Sequence, residues 1–437
     1  MDIWSDPTRR RWVVWVALAL GFLLVNVHRL SSAVLSEDLM RAFDATGSQL
    51  GTLHSSFFYV YAPMQVAAGV LSDRLGIRTT ATVGVLVMSL GGVAFGLAEV
   101  YPVAFLARLC IGLGASVIFI ATLRFCANWY RPDEFATMNG LTIAIAGLGG
   151  ILATTPLSVF QQTVGLRMTF FALGGAGFVI AVVVWLLARD TPADAGLEPV
   201  DNVPSSPTLS LRDVAANART VLRGRDTWLA GIALFCSTGL NLTVLGLWGV
   251  PYIVHLYDVS VPRASSYVLL GNLGLLVGPP VVGWLSDRVG RRIPIMFAAV
   301  CTFVLAYAVI FATVTPPLVV VGVVLFAANF TAGGNILAYA VVKERHAAAA
   351  SGTVTGTVNS IGYFGAAVFP AAMGAVLDAY WTGETVAGAR IYTAFGYRVA
   401  FGIAVLSGLL SLACLVWFYL RYVRGSTDDG SRAGAGV

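Results

Sequence analysis

The sequence predicts an all-α integral membrane protein with twelve transmembrane helices in two pseudo-symmetric bundles of six. First, 57% of the residues are hydrophobic and only 11% are charged, whereas about a quarter are charged in an average soluble protein. Second, the apolar residues form near-continuous runs of about twenty, the length of a membrane-spanning helix. Third, a polar loop occurs twice, at matching points of the two halves. Shorter strands of alternating polarity would indicate a β-barrel instead.

The apolar runs place the helices and the boundary between the halves. Runs of the first half are 13–35, 49–71, 80–98, 102–126, 136–160 and 167–188. Runs of the second half are 228–250, 264–285, 293–313, 317–341, 351–377 and 394–420. The polar, proline-containing segment 189–227 separates them, and turn-forming composition of this kind is typical of a linker. We therefore expect bundles at 1–188 and 228–437, the second with a short tail.

The repeated loop is the most specific motif. Its copies read Gly-x-Leu-Ser-Asp-Arg-x-Gly-x-Arg at 69–78 and 283–292. Charged loops repeated at equivalent positions are able to hold two bundles in one state and release them in another. A simple charged turn is the alternative interpretation. The loop residues predicted to control this movement are Asp73, Arg74, Arg78, Asp287, Arg288 and Arg292.

Arginine and lysine are distributed unequally between the predicted loops. With the N-terminus in the cytoplasm, nineteen of the 27 basic residues fall on the cytoplasmic side and five on the outer side. Such a bias places both termini inside. The net charge of +5 then reflects topology and contact with anionic lipid, so nucleic acid is not an expected partner. We expect a multi-pass protein of a prokaryotic plasma membrane.

Several functional classes are disfavoured by missing motifs. The chain has no Gly-x-x-x-x-Gly-Lys-Ser/Thr loop for nucleotide phosphates, and its five cysteines include no Cys-x-x-Cys pair. No catalytic or metal-binding cluster is visible. We therefore expect neither an enzyme nor a cofactor, and transport driven by a gradient rather than by ATP. A monomer in the bilayer, with a small-molecule substrate and a co-transported proton as partners, is the expected working form.

The two loops and one further motif resemble the major facilitator superfamily. That motif is Arg108-x-x-x-Gly112-x-Gly114 in the fourth run. Segments 26–29, 49–53, 57–65 and 188–197 are similar to the organic-anion branch, which includes anion:cation symporters and organophosphate antiporters. The resemblance implies the twelve-helix fold, a central cavity lined by helices 1, 4, 7 and 10, and alternating access.

Three arginines lie within predicted helices, where charge is costly and usually functional. Arg29 is predicted to bind an anionic substrate group with a two-pronged contact; the alternatives are that it reaches the outer surface or pairs with Glu37. Arg124 is predicted to contact the substrate nearer the cytoplasm, or else to face lipid headgroups. Arg108 is either a coupling residue, as the resemblance implies, or a structural hydrogen-bond donor.

The residues expected to carry a coupled proton differ from those of the branch. Symporters of that branch often have an acid before the first-helix arginine and a glutamate seven residues after the fourth-helix arginine, where this chain has His28 and Ala115. His28 is therefore the first candidate, because an imidazole titrates near physiological pH. His54 is the second. A hydrogen-bonded structural histidine is the alternative for both.

Polar side chains within the apolar runs complete the predicted pocket. Buried amides often serve only to join helices, so about half of the set is expected to be structural. Together with Arg29 and Arg124, the predicted substrate-binding residues are Asn26, Tyr59, Tyr61, Gln65, Asn241, Trp248, Asn329, Asn359 and Tyr363.

These observations predict a secondary active transporter for a small organic anion, coupled to protons or to anion exchange. An efflux antiporter for amphipathic drugs is the first alternative, although Arg29 favours an anion. A non-transporting receptor on the same fold is the second, since fold alone does not fix function.

Overall fold

A computed structural model describes residues 6–198, 216, 219–290, 292–331, 334, 351–386 and 388–433. The helices of the first half are α1 (Pro7–Leu30), α2 (Ser36–Phe43), α3 (Gly47–Leu75), α4 (Ile77–Gly96), α5 (Tyr101–Trp129), α6 (Pro132–Leu152) and α7 (Thr155–Leu187). Those of the second half are α8 (Arg225–Thr243), α9 (Gly249–Tyr257), α10 (Val261–Val289), α11 (Arg292–Thr313), α12 (Leu318–Phe330), α13 (Ser351–Ala379) and α14 (Ala394–Ala433). A π-helical segment, Val244–Trp248, joins α8 to α9, and strands β1 (Trp381–Val386) and β2 (Ala389–Tyr392) form an antiparallel hairpin before α14.

The membrane-spanning character of the helices agrees with the predicted runs. Within the described residues, nine helical stretches are long and apolar enough to cross a bilayer, and Thr137–Leu152 and Leu318–Phe330 are shorter apolar helices. The second predicted run corresponds to α3, which carries more polar residues. The end of the tenth run, 335–341, lies outside the described residues, as do residues 199–215 of the predicted linker.

Two local features differ from the prediction. The sixth helix was expected to begin at 167, but α7 begins at Thr155 and bends at Gly165, where φ is +81°. Glycine accepts this conformation without a steric penalty, which permits the bend. The part of α7 before Gly165 is a short helical segment. The hairpin of β1 and β2 is the second difference, because it lies between the last two apolar runs, where the sequence predicts no strand.

The chain direction defines two faces of the molecule. The termini face is the side where α1 begins and α3 ends, and the hairpin face is the side that carries α2 and the β-hairpin. Contacts between the halves run from the hairpin face past the middle of α3 and α13, as far as Gln65 and Gly356. The Gly47 and Ser48 amides lie at Asp378, Gly51 lies against Pro370, and Gln65 bonds Asn359. The two halves are therefore closed against each other on the hairpin face.

Candidate functional site

Arg29 lies in the last turn of α1, at the interface between the two halves. Its side chain is 7% exposed. One terminal nitrogen donates to Oδ1 of Asn26, one turn earlier in α1, and the other lies 3.3 Å from the hydroxyl of Tyr363 in α13. Asn26 is itself held by a 2.8 Å bond from its amide nitrogen to the carbonyl of Phe22. The guanidinium is thus held by one group from each half.

Aromatic and amide side chains surround this guanidinium. The Arg29 guanidinium carbon is 5.9 Å from the centroid of the Tyr363 ring, and the Tyr61 ring makes an edge contact with Tyr363 at 4.9 Å. One turn further along α3, Oε1 of Gln65 accepts a 3.2 Å bond from the Asn359 amide. The structure therefore brings Arg29, Asn26, Tyr61, Gln65, Asn359 and Tyr363 together, six of the predicted substrate-binding residues.

The electrostatics of this cluster are unbalanced. Both groups that bond the Arg29 guanidinium are neutral, and no carboxylate of the described residues forms an ion pair with it. Its Nε is buried without a hydrogen-bond partner among those residues. A buried cation needs a counter-charge or strong hydrogen bonds to offset its desolvation. An anion placed here would supply the missing charge and accept from the unused donor.

Arg124 differs from Arg29 in having a carboxylate partner. Its Nε donates to Oδ1 of Asp73 at 2.6 Å, and its terminal nitrogen forms an ion pair with the same carboxylate. Asp73 lies in the last turn of α3, within the repeated motif, and Arg124 lies in α5, so this pair joins two helices of the first half. The structure does not bring Arg124 to the Arg29 cluster.

Four other predicted pocket residues lie elsewhere. Tyr59 is 39% exposed and contacts Phe105 of α5 on another side of α3. The remaining three are buried within the second half. Trp248 donates to the carbonyl of Pro370 at 3.0 Å, Asn241 accepts from Tyr307 at 3.2 Å, and the Asn329 amide bonds its own helix at the carbonyl of Leu325. Their contacts are those of structural residues.

A small cavity in the second half confirms that Asn241 belongs to that bundle. The cavity has a volume of about 30 Å³, which accommodates one or two waters and is too small for an organic anion. Its lining includes Asn241, Ser237, Thr331 and Ser411, all from helices of one half. As bounded by the described residues, this cavity has room for water alone, and the role predicted for Asn241 in substrate binding stays a prediction.

His28 and Arg108 occupy the interior of the first half. A terminal nitrogen of Arg108 donates to the hydroxyl of Ser32 at 2.7 Å and to the carbonyl of His28 at 3.2 Å. The His28 ring stacks near Phe170 of α7, with centroids 6.4 Å apart. Arg108 is thus a buried donor that joins α5 to the end of α1, and the His28 imidazole points away from the second half.

The first copy of the repeated loop is fixed by the exit of α7. The Arg78 guanidinium donates to the carbonyl of Trp185 at 2.7 Å and lies 3.9 Å from the centre of its ring. The Arg78 amide donates to Asp190 at 2.9 Å, while Arg74 is exposed. In the second copy Arg288 lies over Trp284 at 5.3 Å. The side chains of Asp287 and Arg292 lie outside those that the structure describes.

The hairpin face contains interhalf contacts that the sequence did not reveal. Asp378 at the end of α13 accepts from the Gly47 and Ser48 amides at 2.7 and 2.8 Å, where the first turn of α3 has unpaired N–H groups. Glu37 of α2 lies 3.8 Å from His255 of α9. Burial is the main cause that raises the pKa of Glu37. A single acid near a helix end carries no sequence signal for such a partner.

Two helical halves with a buried guanidinium at their interface are the arrangement expected of a secondary transporter. The sequence profile of the Major Facilitator Superfamily matches residues 8–370, and the chain belongs to that family. The predictions of the fold, of a transporter and of a non-enzymatic role are thereby confirmed.

Individual relatives are distant. The probable sulfoacetate transporter SauU of Cupriavidus necator is 24% identical over 295 residues, which cover 65% of this chain and 66% of that protein. The probable hexose phosphate transport protein of Chlamydia trachomatis is 23% identical over 420 residues, which cover 88% of this chain and 90% of that protein. A solved bacterial homolog of the human lysosomal transporter Spinster, inward-facing and occupied, has a TM-score of 0.70 at 18% identity, with 95% of this chain and 97% of that chain covered. This last similarity establishes the fold alone.

Proposed function

We propose that the protein transports a small organic anion across the membrane by alternating access, and that Arg29 binds the anion. The observation that carries this proposal is a buried guanidinium at the interhalf interface whose partners in the described residues are neutral. Carboxylate, sulfonate and phosphate groups match its remaining donors. The names of two relatives, a sulfoacetate transporter and a hexose phosphate transport protein, support an anion as substrate.

The amide pair and the aromatic rings provide the rest of the proposed site. Gln65 and Asn359 come from opposite halves, so a substrate that bonded both amides would favour one relative position of the halves. Tyr61 and Tyr363 add apolar surface and hydroxyl groups. An anion with an organic, hydrogen-bonding body suits this lining better than a simple inorganic ion.

The proposed topology places both termini in the cytoplasm, with the hairpin face outside. Movement of the halves would then break the contacts of the hairpin face and form contacts at the termini face, where the repeated loops lie. We include Asp73, Arg78 and Arg288 in this gating role. The Asp73–Arg124 pair would hold the end of α3 against α5 during that movement.

A ligand screen with the purified protein tests the substrate proposal. Carboxylates, sulfonates, sugar acids, phosphate esters and cationic drugs are each added to the full chain in detergent, and the melting temperature is recorded. A ligand at a hundred times its Kd adds about 2.7 kcal/mol to the stability of the folded state. We expect stabilisation by one class of anion, and its loss in Arg29→Ala.

Arg263→Ala is the matched control, because Arg263 is exposed at the start of α10. This variant should keep the wild-type response. Uptake of the stabilising anion into proteoliposomes should fall at least tenfold in Arg29→Ala and remain unchanged in Arg263→Ala. Stabilisation by cationic drugs alone, or normal uptake by Arg29→Ala, would contradict the proposal.

A further inference from the structure

His54 is a buried histidine of the interhalf interface, one turn towards the hairpin face from Phe58. Its side chain is 1% exposed. The ring lies against the π-helical segment of the second half, since a Cβ placed on Gly246 would be 2.9 Å from its Cε1 and 3.2 Å from its Nε2. On its own helix the ring is 5.6 Å from that of Phe58, which stacks in turn near Tyr363. His54 therefore lies next to the Arg29 cluster.

Neither ring nitrogen of His54 has a hydrogen-bond partner among the described residues. A buried polar group without a partner costs about 1–3 kcal/mol, and a charged group costs more. The Arg108 guanidinium of α5 adds positive charge to the surroundings of the imidazole. In this buried contact, without a hydrogen-bond partner among the described residues, a charged imidazolium would cost more than a neutral imidazole.

Among the residues that the structure describes, no carboxylate on a neighbouring element is in contact with the His54 ring. Asp378 of α13 bonds amides about two turns nearer the hairpin face, and Glu37 of α2 is directed to His255. The segment Val244–Trp248 contains no acid or base, and the one charged residue of α4, Arg78, is at its opposite end. The charged or titratable groups that the neighbouring elements carry on this side of the molecule are Arg29 and His28 (α1), Glu37, Asp38 and Arg41 (α2), Arg108 (α5), His255 (α9), and Tyr363 and Asp378 (α13).

We propose that His54 is a proton-binding site that controls closure of the hairpin face. Separation of α3 from Gly246 would admit water to the imidazole, which would then bind a proton near neutral pH. Closure returns the ring to an apolar contact and requires the proton to leave or to be balanced by a bound anion. By linkage, a proton that binds only the open form shifts the open-to-closed ratio by up to tenfold per pH unit.

This role rests on the proposed function only for its use in transport. Arg29 and His54 lie on either side of Phe58 and Tyr363, so an arriving anion would reduce the cost of a charged His54. A proton and an anion would then cross together. The conformational part of the proposal needs no substrate and is testable alone.

The chain offers a matched control in His28. Its ring is also buried, both nitrogens also lack partners among the described residues, and Arg108 is also its charged neighbour. His28, however, packs on Phe170 and Gly92 of its own half. Movement of the halves leaves that environment unchanged, so His28 should not report the closure.

The test measures the opening of the hairpin face against pH. Spin labels are placed at Ala42 of α2 and Val386 of β1, both exposed, in the full chain with its five cysteines replaced and reconstituted in lipid nanodiscs. Distances are recorded by double electron–electron resonance from pH 8 to pH 5 without substrate. We expect a longer-distance population that grows as the pH falls. It should be lost in His54→Gln and in His54→Leu, and kept in His28→Gln.

A pH-independent distance in the parent protein, or a shift that persists in both His54 variants, would overturn the proposal. Melting curves identify variants that fail to fold, and having two His54 replacements keeps the test available if one does. The anion assay is read separately. If the parent protein transports no anion but its pH-dependent opening is lost in the His54 variants, the role of His54 in closure is supported and the proposed function is rejected. Anion uptake with no pH-dependent opening would do the reverse.

Discussion

The hydroxyl of Tyr363 joins Arg29 to the second half of the molecule. The tyrosine belongs to α13 and the arginine to α1, and their 3.3 Å contact exists only while the halves are together at this level. Asn26 holds the other terminal nitrogen from within α1 and would keep its bond in any state. Arg29 therefore has one permanent partner and one that depends on conformation.

Removal of that hydroxyl should weaken substrate binding without unfolding the protein. Tyr363→Phe keeps the ring that packs on Phe58 and Tyr61 but leaves the guanidinium held by Asn26 alone. The loss of a typical hydrogen bond, about 1 kcal/mol, corresponds to a roughly fivefold weaker apparent affinity. Concentration-dependent uptake into proteoliposomes measures this change.

Tyr59→Phe is the control for this substitution. Tyr59 is two residues from Tyr61 yet exposed beside Phe105, so its hydroxyl should not affect uptake. An equal loss of affinity in both variants would mean that tyrosine hydroxyls act indirectly, and the role given to Tyr363 would be wrong.

The sequence located Arg29 but not all of its neighbours. A charge inside an apolar run is visible without a structure, because burying it is costly. Which face of α3 points to the other half is not visible in the sequence. Residues 57–61 include four aromatic side chains in five positions, so every face of the helix could line a pocket. Only the packing of α3 on α13 separates Tyr61, which faces the interface, from Tyr59, which does not.

At the scale of elements, α3 and α13 form the main contact between the halves, and glycines permit their close approach. A Cβ on Gly51 would lie 2.2 Å from the carbonyl oxygen of Pro370, and one on Gly374 would lie 2.2 Å from the carbonyl of Gly47. Both contacts involve backbone atoms, which cannot rotate away as a flexible side chain can. Closure of the hairpin face therefore requires these positions to lack a side chain.

Gly51→Ala should hold the hairpin face open. An added methyl group in a close-packed contact costs about 1–3 kcal/mol, which changes the open-to-closed ratio by roughly fivefold to 150-fold. Separation of α3 from α13 would relieve the overlap, so we expect the variant to fold in an open form. The expected results are a longer distance between labels at Ala42 and Val386 and a loss of uptake.

Gly140→Ala in α6 is the matched control, because a Cβ at Gly140 meets no atom within 4 Å. Alanine is the better helix former, so this variant should melt at the same or a slightly higher temperature and should transport normally. If the labels at Ala42 and Val386 keep the distance of the closed state in Gly51→Ala, the contact between Gly51 and Pro370 does not control closure of the hairpin face, and this prediction is wrong.

Element boundaries were less predictable than element number. Apolar length gave the helices, but the bend at Gly165 lies in a stretch whose composition suits both a loop and a helix end. The hairpin Trp381–Tyr392 packs against α2, which is a contact between distant parts of the chain. Local patterns do not contain that information.

At the scale of the whole molecule, the face where the two halves are closed is also the face with few basic residues. The five basic residues assigned to the outer loops all lie at the hairpin face. They belong to α2, the bend of α7, the start of α10, β2 and the start of α14, and are in that order Arg41, Arg167, Arg263, Arg390 and Arg398. Lys and Arg accumulate on the cytoplasmic side of membrane proteins. In the proposed topology the face poorer in basic residues is the outer one, and the closed hairpin face would then be the outer gate.

Labelling of single cysteines in intact cells tests this orientation. A membrane-impermeant maleimide should react with a cysteine at Val386, which is exposed on the hairpin, and should not react with one at Arg9 until the cells are opened. Arg9 is about half exposed at the start of α1, so lack of reaction reflects its compartment rather than burial. The reverse pattern would place the hairpin face in the cytoplasm. The closed gate would then be the inner one, and a proton reaching His54 on opening would come from the cytoplasm. The labelling experiment therefore also determines which side of the membrane sets the protonation of His54 in a pH gradient.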